Sequence, residues 1–324
     1  MPRLRFMDIA IDYNCNMTCD HCSALPMKDP EEKRLTLDEY ARIARELQDE
    51  GCLIFHFTGG EPLLRKNLEE IIRAFRPERC AISIQTNGWL VTRERLRSLK
   101  AAGLDMMCVS IDSGIPEEHD AFRKTPGAHA RAVAAVRMAR EEGLKHLIST
   151  CVSRDNLRSE GIRRLIAFAE ETGSWCHFNL AVPVGHWQGR VEMMFRPEDR
   201  EEMLRMMDQH PCIKWDMRGN WLRVGCGAVK EKLYLSPYGN LMPCPFIQIA
   251  LGNLRSESLR QVRDRSLACE EFRTYAPLCL AAEDADFVAR TPCYLPGNKK
   301  PITSYRDVTW LTPVQPSSNP PEQS

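Results

Sequence analysis

Hydrophobic and polar positions along the first two-thirds of the chain predict strands and helices in alternation. Continuous apolar runs rich in β-branched residues indicate strands, and apolar residues spaced three and four apart indicate helices. The clearest helix begins at a capping box of Thr36 and Glu39 and ends at Gly51. The predicted strands are 6–13, 53–58, 81–86, 105–112, 146–153 and 174–183, and the predicted helices are 36–50, 67–75, 92–102, 128–142 and 161–172.

Six strands with helices between them predict parallel pairing, and hence an α/β fold with a partial (β/α)6 TIM-like barrel. Six units are two fewer than a closed barrel needs, so we expect an open side that a later segment covers. The pattern changes after Pro183. Residues 197–207 and 256–275 there predict helices, and 231–243 predict a hairpin that turns at Pro237–Asn240.

The charge balance and the cysteine content narrow the function. The 324 residues carry 44 Lys+Arg and 44 Asp+Glu, and this zero net charge argues against nucleic acid or a membrane surface as partner and favours a small-molecule substrate. No apolar stretch typical of a signal peptide follows Arg5, so we expect a cytoplasmic protein. Fourteen cysteines in that compartment indicate metal ligation or catalysis rather than disulfides.

The sharpest motif is a C-x3-C-x2-C run directly after the first predicted strand. Three thiolates this close, from Cys15, Cys19 and Cys22, can converge on one face of an iron–sulfur cluster and leave one iron open. A zinc site with His21 or a remote residue as fourth ligand is the alternative, as is chance among so many cysteines.

A second motif, Thr58-Gly59-Gly60-Glu61-Pro62, follows the second predicted strand. Its glycines allow close approach of backbone to a ligand, and its carboxylate can accept from an ammonium group. Together, at the ends of the first two strands, the two motifs resemble the radical S-adenosylmethionine (radical SAM) superfamily. One departure is His21, where that family usually has an aromatic residue.

The resemblance implies an activity and a set of site residues. A [4Fe-4S] cluster on Cys15, Cys19 and Cys22 would chelate SAM through its open iron, and an electron from it would cleave SAM to methionine and a 5′-deoxyadenosyl radical that abstracts hydrogen. The residues expected to bind SAM are Gly59, Gly60 and Glu61 at the methionine amino group, Ser110 and Asp112 near the ribose, and Arg123 at the carboxylate.

The C-terminal third resembles the SPASM/Twitch extension of this superfamily, which binds auxiliary iron–sulfur clusters. The resemblance rests on Cys226, Gly239, Cys244 and the segment 251–254. Full SPASM domains continue with C-x2-C-x5-C-x3-C, whereas here Ala282 takes the place of the second cysteine. This departure favours the Twitch form, with one [4Fe-4S] cluster on Cys226, Cys244, Cys279 and Cys293. Cys269 in place of Cys279, or only three ligands, remain alternatives.

Three further residues are candidates for contact with the substrate. If Cys151 faces the barrel interior, its thiol can return a hydrogen atom to a substrate radical, as epimerases of the superfamily require, although buried cysteine is more often inert packing. His177 and His186, near the end of the sixth strand, are candidate substrate contacts.

The function expected from the sequence is hydrogen abstraction from a small polar metabolite, followed by oxidation (dehydrogenation) or epimerisation. The auxiliary cluster would accept an electron or hold the substrate, and a reductase such as flavodoxin or ferredoxin would supply the first electron. A maturase of a ribosomal peptide is the alternative, although about five residues before the first strand leave no room for an N-terminal peptide-recognition domain. An iron–sulfur electron carrier or scaffold is the non-enzymatic alternative.

The expected division of the chain follows from these motifs. We expect a barrel at 1–183, a connecting segment at 184–225, a cluster domain at 226–311 and a disordered tail at 312–324.

Overall fold

The computed structural model describes residues 3–215, 217, 225–298, 300 and 302–311. The predicted tail at 312–324 and residues 216 and 218–224 of the predicted connecting segment lie outside these residues. The strands are β1 (Phe6–Asp12), β2 (Ile54–Gly59), β3 (Ala81–Thr86), β4 (Met106–Ser110), β5 (Lys145–Val152), β6 (Trp175–Leu180), β7 (Ile213–Lys214), β8 (Lys232–Leu235), β9 (Asn240–Met242), β10 (Ile249–Ala250), β11 (Gly252–Asn253) and β12 (Thr303–Ser304). The helices are α1 (Leu37–Asp49), α2 (Leu68–Ala74), α3 (Arg93–Ala102), α4 (Pro116–Arg123), α5 (Ala128–Glu141), α6 (Glu160–Thr172), α7 (Pro197–Gln209), α8 (Leu259–Leu267), α9 (Glu270–Arg273) and α10 (Ala285–Arg290).

The α/β architecture expected from the sequence is confirmed. Strands β1 to β6 pair in parallel in chain order, with the helices between them in sequence. Helix α1 starts where its capping box predicts, since Glu39 N donates to Thr36 Oγ1 (3.2 Å) and Thr36 N donates to Glu39 Oε2 (2.7 Å). The helices bury their apolar stripes against the outer face of the sheet, which leaves the inner face to line a cavity.

The sheet extends beyond the six predicted strands at both edges. In the described residues it has ten strands in the order β11-β9-β8-β1-β2-β3-β4-β5-β6-β7. Strand β8 pairs in parallel with β1, from Phe6 opposite Lys232 to Ile9 opposite Leu235, and the predicted hairpin of β8 and β9 is antiparallel. The C-terminal part of the chain therefore continues the barrel sheet, a pairing that local sequence pattern does not encode.

The described residues contain no helix that is long and apolar enough to cross a membrane.

Candidate active site

The loop after β1 brings the three cysteines of the first motif to one cavity. Cys15, Cys19 and Cys22 all line a space of about 620 Å³ inside the barrel. Each sulfur lies near an N–H group: Leu25 N is 3.2 Å from Cys22 Sγ, Arg123 Nη1 is 3.8 Å from Cys19 Sγ, and an amide nitrogen of Asn87 is 3.9 Å from Cys15 Sγ. Three sulfurs facing one cavity, each beside a donor, fit a thiolate-ligated iron–sulfur cluster.

Gly59 and Gly60 allow the loop after β2 to lie directly against the cysteine loop. Gly59 has φ +128°, and a Cβ there would be 2.1 Å from the carbonyl oxygen of Asp12. A Cβ on Gly60 would be 2.1 Å from the carbonyl oxygen of Asn14. The same two carbonyls accept from Gly60 N and Glu61 N, each at 2.8 Å. Both glycines also line the cavity, so the motif shapes the wall and fixes the cysteine loop.

The structure places the Glu61 carboxylate behind this wall rather than in it. Glu61 is 1% exposed and is not among the residues that line the cavity. Its Oε1 accepts from Thr86 Oγ1 (2.8 Å) and Leu63 N (3.0 Å), and its Oε2 accepts from Asn87 N (2.8 Å). Burial raises the pKa of this carboxyl above its ordinary value. Glu61 therefore ties the loop after β2 to the end of β3.

Asp112 and Arg123 form a buried ion pair at the cavity. Arg123, 8% exposed, donates to Asp112 Oδ2 from both Nε and Nη2 at 2.7 Å, and Cys151 N donates to Asp112 Oδ1 at 3.0 Å. Burial acts to raise the pKa of Asp112, but the Arg123 charge opposes it and the net pKa is lowered. Ser110 also lines the cavity and accepts from Gln85 Nε2 at 2.7 Å.

Helix α4, which the sequence reasoning missed, holds the cysteine loop from the other side. Phe122 O accepts from Asp20 N (3.1 Å), and the Phe122 ring stacks on His21 with centroids 4.5 Å apart. Burial lowers the pKa of His21 to about 4, so this ring stays neutral and suits the family's aromatic position. The signal for this helix was present, because Pro116 is followed by two acidic residues, which is typical of a helix start.

The three candidate substrate contacts have different environments. Cys151 and His177 both line the cavity, and burial raises the pKa of the Cys151 thiol, so it stays protonated. His186 is instead bound to the cysteine loop, with Nδ1 2.9 Å from Cys19 O and its backbone N donating to Cys22 O at 3.0 Å. His186 is not among the described residues that line the cavity.

The cysteines of the third motif meet at a second, smaller cavity. Cys226, Cys244 and Cys279 line a space of about 50 Å³. Cys293, the fourth predicted ligand, is buried but is not among the described residues that line this space. Burial, with a contribution from Cys244, raises the pKa of its thiol to about 12. Soft sulfur donors brought together from three segments fit an iron–sulfur cluster. In the described part of the chain, no group of three or more His, Cys, Asp or Glu side chains is arranged to hold a single metal ion.

Ala282 and Cys269 occupy different places relative to this cavity. Ala282, which replaces a cysteine of the longer motif, lines the same space. Cys269 lies elsewhere, with its Sγ directed at Leu311 O (3.4 Å) and Arg265 O (3.8 Å). The structure therefore brings Cys279, not Cys269, to the other cysteines.

The two cavities share a wall. Six residues line both of them: Asn179, Leu180, Val182, Trp215, Lys232 and Phe246. A molecule in the larger cavity is thus separated from the smaller one by a single layer of side chains.

A row of polar residues on the inner face of the barrel was not predicted from the sequence. Asp8, His56 and Ser83, here called the polar layer, are aligned in the register of β1, β2 and β3, and all three line the larger cavity. A polar residue at alternate positions of a buried strand was the signal that could have found them.

Comparison with known proteins shows which families and structures the chain resembles. Residues 10–168 match the family model of the radical SAM superfamily, and residues 226–286 match the SPASM iron–sulfur cluster-binding domain. An AdoMet-dependent heme synthase of Nitratidesulfovibrio vulgaris is 26% identical over 304 residues, which cover 84% of this chain and 82% of the relative. AlbA, a bacteriocin subtilosin biosynthesis protein of Bacillus subtilis, is 24% identical over 82% of this chain and 61% of its own length.

A solved structure has a similar fold. Streptococcus suis SuiB bound to the precursor peptide SuiA superposes with a TM-score of 0.62 at 16% sequence identity, over 81% of this chain and 65% of SuiB.

Proposed function

Because the chain belongs to the radical SAM superfamily and carries a C-terminal SPASM domain, we propose that it oxidises a polar substrate bound inside its barrel. The family implies a [4Fe-4S] cluster with SAM, and the SPASM domain implies auxiliary iron–sulfur clusters. When bound at the reduced cluster, SAM supplies a 5′-deoxyadenosyl radical that removes a hydrogen atom from an unactivated carbon.

In this proposal, the chain's own residues hold these groups at the carboxyl ends of the strands. Cys15, Cys19 and Cys22 ligate the first cluster, while Gly59 and Gly60 form the wall that faces SAM. The ribose is bound near Ser110 and Asp112, and Arg123 supplies positive charge beside Cys19. Glu61 lies behind this wall and stabilises it by accepting hydrogen bonds from Thr86 and Asn87.

The observation that carries the proposal is the position of the larger cavity. The three cysteines lie at the end of the cavity where the barrel strands finish, and the polar layer lies farther from that end, within β1, β2 and β3. One side of the cavity is shared with the auxiliary cysteine site. A volume of about 620 Å³ suits SAM together with a small substrate, or with one reacting group of a larger substrate. The shared wall supports oxidation, because an electron leaving the substrate has a short path to the second cluster.

Epimerisation is the other outcome that this site supports, since Cys151 lines the same cavity. If Cys151 returns a hydrogen atom to the substrate radical, Cys151→Ala will still form 5′-deoxyadenosine but lose product. If the outcome is oxidation, Cys151→Ala will keep product formation close to that of the wild type. Deuterium uptake from D2O into the product, measured by mass spectrometry, separates the two because thiol protons exchange with solvent.

A peptide maturase is the second candidate function, and the similarity to AlbA over most of this chain favours it. The heme synthase relative makes an iron porphyrin a third substrate to examine. The assay therefore compares a small-metabolite extract, synthetic ribosomal precursor peptides and an iron porphyrin.

The decisive experiment is anaerobic reconstitution followed by addition of SAM and dithionite. We expect 5′-deoxyadenosine to form, and to form faster with the small-metabolite fraction than with the peptide or the porphyrin. Full cluster loading without 5′-deoxyadenosine would overturn the enzyme proposal and favour an electron carrier or scaffold. Faster turnover with a peptide would show that the substrate is a peptide rather than a small metabolite.

A flavodoxin or ferredoxin is proposed as the physiological reductant in place of dithionite. We also propose that residues 1–183 form the SAM-binding unit and 226–311 the auxiliary cluster unit, with 184–225 connecting them.

A further inference from the structure

Lys230 is a buried cation in the loop that follows Cys226. It is 1% exposed, whereas lysine side chains almost always reach solvent. The loop is tight, because Glu231 N and Lys232 N both donate to Gly227 O, at 2.8 and 3.2 Å. The Lys230 side chain is therefore held inside the protein, four residues after a predicted cluster ligand.

The ammonium group of Lys230 has three neutral partners. Its Nζ donates to Ala228 O at 3.2 Å and to Phe272 O at 3.0 Å, and it lies 5.3 Å from the centre of the Tyr275 ring. The face of an aromatic ring attracts a cation and can receive the third N–H group. The hydrogen bonding of the ammonium is thus satisfied, but none of these partners carries a negative charge.

The acidic residue next to Lys230 does not balance the charge. Among the described residues, no carboxylate forms an ion pair with the Lys230 ammonium, whose partners are two carbonyls and a ring. The carboxylate of Glu231 is instead paired with Arg5 at 3.4 Å and accepts from the Tyr275 hydroxyl at 2.6 Å. A second buried cation, Arg263, donates to Lys230 O at 3.1 Å, which adds positive charge at the same place.

This accumulation of buried positive charge calls for a negative charge nearby. Burying an unbalanced ammonium is unfavourable, because the group loses its hydration without gaining an opposite charge. Burial lowers the pKa of Lys230, and negative charge at Cys226 and at Glu231 opposes this effect. Cysteines that bind iron do so as thiolates, which supply negative charge at this position.

We propose that the buried charge of Lys230 stabilises the reduced form of the auxiliary cluster. This inference rests on the proposed function above, in which that cluster accepts an electron. Lys230 is a positioning residue, since it acts through the cluster and is not among the described residues that line either cavity.

The distance from Lys230 to the cluster ligand is short enough for such an effect. The ammonium donates to Ala228 O, and the two residues from Cys226 to Ala228 span at most about 7 Å. A thiolate-bound iron–sulfur cluster is anionic and gains one further negative charge on reduction. In a buried, low-dielectric position, a fixed cation therefore favours the reduced form more than the oxidised form.

The test compares two neutral variants of Lys230 in the reconstituted holoenzyme. Lys230→Gln removes the charge but keeps an amide N–H that can donate to a carbonyl, whereas Lys230→Met removes both. Lys100→Met is the matched control. Lys100 Nζ also donates to two carbonyls, Glu142 O (2.8 Å) and Gly143 O (3.4 Å), but it is exposed on α3.

A redox titration with dithionite, followed by electron paramagnetic resonance, gives the reduction potential of each cluster. Signals that disappear in Cys244→Ser are assigned to the auxiliary cluster. We expect both Lys230 variants to lower the reduction equilibrium constant of that cluster at least about tenfold, which is about 59 mV for one electron. The first cluster should keep its wild-type potential in every variant, and Lys100→Met should leave both potentials unchanged.

Two results of the titration would overturn the inference. An unchanged auxiliary potential in Lys230→Gln, with or without a shift in Lys230→Met, would reduce Lys230 to a structural contact. Equal shifts at both clusters would show a general disturbance of the protein rather than a local charge effect.

Urea unfolding of the iron-free chains decides the case in which the Lys230 variants do not take up the second cluster. An iron-free Lys230→Gln chain at least as stable as the iron-free wild type would support the inference, since the charge then serves only the cluster. A less stable iron-free variant would overturn it, because the residue would be needed for folding alone.

Failure of the proposed function gives a different result from failure of this inference. If the wild type forms no 5′-deoxyadenosine in a parallel assay, the enzyme proposal is contradicted, while a shifted potential in Lys230→Gln still supports the inference. A wild type that holds only the first cluster would contradict both.

Discussion

At the scale of single residues, Arg123 is placed to act on the cluster proposed for Cys15, Cys19 and Cys22 as well as on the proposed SAM site. Its guanidinium is clamped by Asp112 and lies 3.8 Å from Cys19 Sγ, in a buried position. If Cys19 ligates the cluster as proposed, a cation this close to its sulfur stabilises the reduced, more negative form of the cluster.

Replacing Arg123 should therefore make the first cluster harder to reduce. Arg123→Gln is expected to shift the reduction potential of the cluster to a more negative value, whereas Arg123→Lys keeps the charge and most of the potential. A redox titration followed by electron paramagnetic resonance measures this shift. An unchanged potential combined with weaker SAM binding would assign Arg123 to the SAM carboxylate alone.

Gly60 provides a second test at this scale, because its role is steric. Gly60→Ala would place a Cβ 2.1 Å from Asn14 O, so the cysteine loop must move. We expect a loss of about 2–4 kcal/mol in the free energy of unfolding, together with lower iron retention. Gly127→Ala is the matched control, since a Cβ there meets nothing within 4 Å and only its φ of +83° is unfavourable. Its expected cost is about 1 kcal/mol in urea unfolding. Equal losses in both variants would contradict the steric explanation.

At the scale of elements, helix α1 makes tertiary contacts through its polar face as well as through its apolar face. Glu39 pairs with Arg255 (2.7 Å), Glu50 pairs with Arg260 (3.0 Å), and Glu46 Oε1 accepts from Leu259 N at 2.6 Å. The carboxylate of Glu46 thus lies at the N-terminus of α8, where negative charge is favourable. The polar face of α1 joins the barrel to the C-terminal segment.

Removal of Glu46 should loosen the start of α8 without unfolding the barrel. In Glu46→Ala, the amides of residues 259–261 are expected to exchange hydrogen about tenfold faster, as local opening becomes easier. Hydrogen–deuterium exchange with mass spectrometry measures this, and Arg45→Ala, an exposed change on the same helix, should leave the exchange unaltered. Equal effects from the two substitutions would show that the contact does not hold α8.

The sequence predicted where helices and strands lie better than it predicted which strands pair. Thr36 and the apolar spacing of α1 specify that helix locally, and the six barrel strands follow from local hydrophobicity. The pairing of β8 with β1 could not be predicted, because strand partners are chosen by the whole fold. The position of the Glu61 side chain could not be predicted either, for the same reason. Its motif can be recognised in the sequence, but the direction of the side chain depends on contacts with β3.

At the scale of the whole molecule, two cysteine sites predict two separable clusters. The holoenzyme should contain about eight irons and eight sulfides, and Cys244→Ser should lower both to about four while SAM still binds. Cys269→Ser is the control, since Cys269 lies away from the other cysteines, and it should keep about eight. Chemical iron and sulfide analysis gives the result, and about four irons in the wild type would remove the auxiliary cluster.

The pairing of β8 with β1 also affects how the chain is made. During synthesis, residues 232–235 are added more than two hundred positions after β1. The outer edge of β1 therefore has no strand partner until these residues have been made. Until then an apolar strand presents an open edge, which favours association with other chains. A chain that stops before residue 232 should therefore aggregate during expression, and assistance from chaperones should matter most in this interval of translation.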